Sequence, residues 1–155
     1  MASVMDVAAY ILAKCGPMTA MKVQKLCYYS YGYHYAWEDR RLFEERMEAW
    51  ANGPVCRKLY AVHRGRLTLT ADDIPGSPEA LDDGEKESID LVLDGLSHMT
   101  AHQLSAMSHR ELPWLRARDR AGATGLDWSN EPLDDADIYE FFDALSASTV
   151  TDGQE

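Results

Sequence analysis

The segment from Lys22 to Tyr35 constrains the fold more than any other. It holds five of the chain's tyrosines, Tyr28, Tyr29, Tyr31, Tyr33 and Tyr35. At helical spacing, Val23, Leu26, Cys27, Ser30 and His34 lie on one face. Met21, Lys25, Tyr28, Gly32 and Tyr35 lie on another. A helix that is apolar or aromatic on several faces must be covered on several sides. Thr19 is placed to cap it. The run Tyr31-Gly-Tyr33-His-Tyr35 also alternates with a period of two, which leaves a strand open there. The full run is longer than an ordinary strand.

The flanking text reads as further helices. Ser3 and Asp6 open one whose buried stripe is Val4, Val7, Ala8, Ile11, Leu12 and Cys15, and Gly16-Pro17 closes it. Pro54 suits the first turn of another, which Gly65 would cap. Asp82 and Glu85 start a helix with Ile89, Val92, Leu93 and Leu96 inward. Thr100 and Gln103 restart the chain as a capping box. Pro113 begins a short turn, and a last helix carries Ile138, Phe141, Phe142 and Leu145. Asp72-Asp73, Pro75-Gly76 and Pro78 break the chain between them. The expectation is a mainly α fold, a single compact multi-helix domain over 1–148 with a flexible polar tail at 149–155. It leaves room for a short β-hairpin near residues 42–51 and 67–70.

Charge then narrows the function. The net charge is -11, yet residues 1–66 carry an excess of bases and 121–155 hold nine acids and no base. Bulk acidity disfavours nucleic acid as a partner, although the basic N-terminal half keeps a local basic surface open. No apolar run is long enough to span a membrane, and the start lacks the positive region of a signal peptide. Cys15, Cys27 and Cys56 are odd in number and widely spaced, which suits free thiols in a reducing cytoplasm.

Chemistry is sparse in the text. His98 and His102 lack the intervening acid of the zinc-protease helix and have Thr100 between them, so no metal is expected, and nothing calls for a cofactor. Cys56 near a helix start, with His109 as a distant base, is the one nucleophile arrangement to weigh. The acid groups Glu44-Glu45-Glu48 and Asp134-Asp135-Asp137 read as solvated helix faces. The expectation is no catalytic residue and no enzyme. Two basic-aromatic groups suit a protein interface instead. From them Tyr31, Tyr35, Arg40, Arg57, Arg116 and Arg118 are the expected partner contacts, with one or two of the C-terminal arginines paired to the acidic end.

Three blocks of text carry a family resemblance. The first is Thr19-Ala20-Met21-Lys22-Val23-Gln24-Lys25-Leu26, followed by Tyr28-Tyr29. The second is Glu48-Ala49-Trp50-Ala51-Asn52-Gly53-Pro54-Val55 with Tyr60 downstream. The third is Leu104-Ser105, Ser108-His109-Arg110-Glu111 and Pro113-Trp114. Over roughly residues 4 to 145 the chain resembles the Panacea domain, the family of SocA-like antitoxins and phage-associated proteins. Val23 stands where the family commonly has Leu, and the acidic loop from Asp72 to Asp83 is particular to this chain.

The resemblance implies a mainly helical antitoxin that neutralises a cognate toxin by direct binding. Within the family the alternative is an adaptor that hands the toxin to a protease. An uncharacterised hydrolase and a nucleic-acid-binding regulator are the readings outside it. The matched positions Lys25, Leu26, Trp50, Gly53, Pro54, Val55, Tyr60, His109, Pro113 and Trp114 are expected to be fold markers before contacts.

Overall fold

The computed structural model describes residues 1–153, with side chains to residue 147. Its centre is α2 (Ala20–Glu38), and twelve of the nineteen residues of this helix are buried. Thr19 caps it, the side chain accepting from Lys22 N. The Tyr31–Tyr35 alternation is therefore helix, carried through from a capped start.

Four other helices and a hairpin cover α2. They are α1 (Val4–Cys15), α4 (Asp83–Leu96), α5 (Ala101–Ser108) and α7 (Asp135–Gly153), with β3 (Gly53–Cys56). α6 (Leu112–Arg120) packs on α7 and the hairpin. Ser3, Asp82 and Thr100 each form the expected capping box, with Asp6, Glu85 and Gln103. On the α7 side the Phe142 ring meets Tyr28, Tyr29 and Tyr33 edge-on, with centroids 5.5, 6.0 and 5.0 Å away. It lies against the bare backbone of Gly32, where a methyl group would collide with the ring.

β2 (Met47–Trp50) and β4 (Thr68–Leu69) fall within the stretches expected to hold a hairpin, but their pairing partners lie outside them. β2 pairs antiparallel with β3, so the hairpin spans 47–56, and Leu42 and Phe43 are buried but outside any strand. Gly53 takes the positive φ of 111° that closes the turn. Pro54 lies in β3 opposite Ala49 and does not start a helix. α3 begins later and spans Arg57–His63. A strand of a two-stranded ribbon is always an edge, which is where a proline is tolerated. Arg64 caps α3, and Gly65, with φ 86°, follows it by one residue. β4 (Thr68–Leu69) forms no local hairpin and pairs with β1 (Met18–Thr19), tying the entry of α2 to the chain after α3.

The backbone of α7 continues as helix to Gly153, into the region expected to be a flexible polar tail. The remainder of that expectation lies outside the described residues.

Candidate functional site

The family-like positions converge on the β2–β3 hairpin. Six of its backbone carbonyls are held by side chains from three helices. From α2, Gln24 Nε2 donates to Cys56 O at 3.1 Å and Lys25 Nζ to Pro54 O at 3.0 Å. Ser105 of α5 donates through its hydroxyl to Asn52 O at 2.7 Å, and His109 Nε2 lies 2.9 Å from Ala51 O. From α6, Trp114 Nε1 donates to Trp50 O at 2.8 Å and Arg118 Nη1 to Ala49 O at 3.1 Å. Gln24 also accepts from Cys56 N at 2.8 Å, so one side-chain amide satisfies both backbone polar groups of that residue. A small buried hairpin cannot satisfy its turn carbonyls internally, and these side chains do it instead.

Size matters at the same point. A side chain at Gly53 would meet Ser108 Oγ at 2.9 Å and Lys25 Nζ at 3.0 Å. Gly53 is therefore required twice, for its φ and for room. Trp50 turns to the outer side, where Tyr60 packs edge-on at 5.0 Å. Its indole donates to Glu48, which also pairs with Arg57 at 3.2 Å. Leu26 of α2 and Val55 of β3 are buried, and Pro113 stands in the first turn of α6.

Two ionisable groups are sealed beside this latch. Lys25 is fully buried, and burial pulls its pKa from 10.5 down to about 7. Glu111 is buried beneath the Tyr28 and Tyr29 hydroxyls, which donate to its two carboxylate oxygens at 3.0 and 2.8 Å. Burial raises its pKa to about 7, while those two donors hold it down.

The six expected contact residues separate. Tyr31 is 5% exposed, and its hydroxyl donates to Asp135 at 2.8 Å. Arg118 is 4% exposed and is bound to Ala49 O and Gly125 O. Both are interior, which corrects the expectation that they face a partner. A tyrosine buries well when its hydroxyl finds an acceptor, and an arginine when its guanidinium meets carbonyls. Tyr35 is half-buried against Tyr139 at 5.7 Å. Arg40, Arg57 and Arg116 are exposed but already paired, with Asp82, Glu48 and the acids Asp137 and Glu140. Arg116 and Arg120 make the expected pairing with the acidic end, in both cases to Asp137.

The nucleophile arrangement does not assemble. Cys56 is fully buried, and burial raises its thiol pKa. His109 is engaged with Ala51 O. Among the described residues no group of three or more His, Cys, Asp or Glu is placed to hold a metal ion. No helix among them is long and apolar enough to cross a membrane. Sequence reading passed over Gln24 as an anchor. The signal was a polar residue in a helix apolar on every other side.

The domain thus spends its most distinctive residues on latching one hairpin to the helices around it. The profile described as antitoxin SocA-like, Panacea domain, matches residues 23–115, more than half of the chain. The chain belongs to that family. The match is narrower than the expected 4 to 145 and leaves α1 and α7 outside. No curated protein and no solved structure is significantly similar to it.

Proposed function

We propose that this chain is an antitoxin that neutralises a cognate toxin protein by binding it directly, with no catalytic step of its own. The observation that carries the reading is family membership across the latched hairpin and the helices that hold it. The buried, protonated Cys56 thiol and the committed His109 ring support a non-catalytic role. An acidic chain of net charge -11 is suited to steering a basic partner.

Growth on induction of the neighbouring reading frame, alone and with this chain, tests the reading. Rescue is expected, with co-purification of the two proteins. The Cys56→Ala variant is expected to rescue as well as the parent. A folded Cys56→Ala protein that no longer rescues would overturn the non-catalytic reading. Toxin that disappears only when a host protease is present would replace neutralisation by direct binding with delivery to that protease.

A further inference from the structure

Resting on the antitoxin reading, we propose that the loop carrying Leu126 and Trp128 is the toxin-docking surface, and that it takes a basic protein surface with an apolar recess for the indole. Trp37, Trp50 and Trp114 donate their indole N–H to Ser146, Glu48 and the Trp50 carbonyl. Trp128 has no such partner among the described residues and is 75% exposed, with Leu126 at 81%. Leu126 and Trp128 stand on either side of Asp127.

The backbone beneath them is held. Arg118 reaches Gly125 O at 3.2 Å with the same guanidinium that holds Ala49 O. The loop tip is thus fastened to the hairpin beside Trp50. Asp127 accepts from Thr124 N at 3.0 Å and donates its own N–H to Thr124 O at 3.0 Å. Ala49 N donates to Glu131 O at 2.8 Å and Leu133 N to Met47 O at 2.9 Å, laying the end of the loop along β2. Two large apolar side chains are therefore presented between backbone segments that are already hydrogen-bonded, and this removes part of the entropic cost of association. Tryptophan is the residue most enriched at interface hot spots.

The surroundings set the partner's charge. Residues 119–140 hold seven acids against the single base Arg120. Asp119, Asp127 and Asp134 are exposed and have no cation partner among the described residues. Glu131, Asp135, Asp137 and Glu140 are paired with arginines. Asp127 between the two apolar side chains, and Asp119 and Asp134 flanking them along the chain, are therefore the carboxylates left to complement a basic protein and repel nucleic acid.

The test is titration of the purified neighbouring-gene product against this chain and its Leu126→Ser/Trp128→Ser variant, at low and high salt. Hydrogen exchange on the wild-type complex accompanies it. Both residues are exposed, so the variant is expected to melt with the parent. Its affinity is expected to fall by at least ~30-fold. Wild-type affinity should fall as salt rises, and residues 124–131 should gain protection. Equal affinity of variant and parent overturns this surface and leaves the antitoxin reading standing. A wild-type chain that neither binds nor rescues overturns both. Salt-independent binding overturns the basic partner. A wild-type dimer that the variant abolishes, with toxin binding unchanged, reassigns the loop to self-association.

Discussion

Replacing Lys25 with methionine probes the hairpin latch at its most costly member. The amine is fully buried, with Pro54 O at 3.0 Å, and burial lowers its pKa from 10.5 to about 7. In the unfolded chain it titrates near its ordinary value of about 10.4. Between those two values the unfolded chain holds a proton that the folded chain has released. Stability from this group therefore rises with pH, by ~1.4 kcal/mol per unit, from about pH 7 toward pH 10. At and below about pH 7 the burial penalty is near its full size, roughly 4 kcal/mol.

Methionine keeps the unbranched stem and binds no proton. It strands the Pro54 carbonyl, at about 1–3 kcal/mol. The Lys25→Met protein is thus expected to be about 1–3 kcal/mol more stable than the parent near pH 7. That margin should vanish by about pH 9.5, a relative change of roughly 3 kcal/mol. Urea unfolding followed by tryptophan fluorescence, at pH steps from about 7 to 9.5, measures both curves. Parallel pH profiles for the two proteins would refute the argument that Lys25 is held against its own charge.

Glu111 is expected to act in the opposite direction and a lower window. Its pKa is raised from 4.5 to about 7, so its contribution is complete below pH 4.5 and is lost as pH rises through 7. A Glu111→Gln protein should show a shallower fall in melting temperature from about pH 4.5 to 7.5, and an unchanged slope would count against the assignment. Gly32→Ala should cost about 1–3 kcal/mol by overpacking against Phe142, despite the better helix propensity of alanine. In a Phe142→Leu background that cost should shrink, and equal costs in the two backgrounds would exclude the ring as its source.

What was legible in the text was local. Ser3 with Asp6, Asp82 with Glu85 and Thr100 with Gln103 cap helices through bonds three residues long, so composition at the right offset was enough. The all-round apolar pattern of residues 22–35 foretold a central helix, because no single packed face could bury it. The family blocks were legible as text, and Trp50, Gly53, Pro54, His109 and Trp114 stood out. Their shared purpose was not, since it exists only where α2, α5 and α6 bring donors to one hairpin.

Exposure was the property least accessible from sequence. Tyr31 and Arg118 have side chains that serve equally at a surface or inside. Their burial was decided by Asp135 and the Ala49 carbonyl, which lie far along the chain from Tyr31 and Arg118, together with the Gly125 carbonyl in the loop after α6. The pairing of Thr68–Leu69 with Met18–Thr19 is likewise set by where the chain returns, because two residues of strand carry no pairing code of their own. By itself the sequence determined the capping boxes of three helices and the central place of α2, since these follow from hydrogen bonds and periodicity within a few residues, whereas the bounds of α3 did not follow from Pro54 and Gly65. Only the tertiary structure decided which polar groups are sealed in and which side chains remain exposed, because burial is a property of what the rest of the chain packs against a residue.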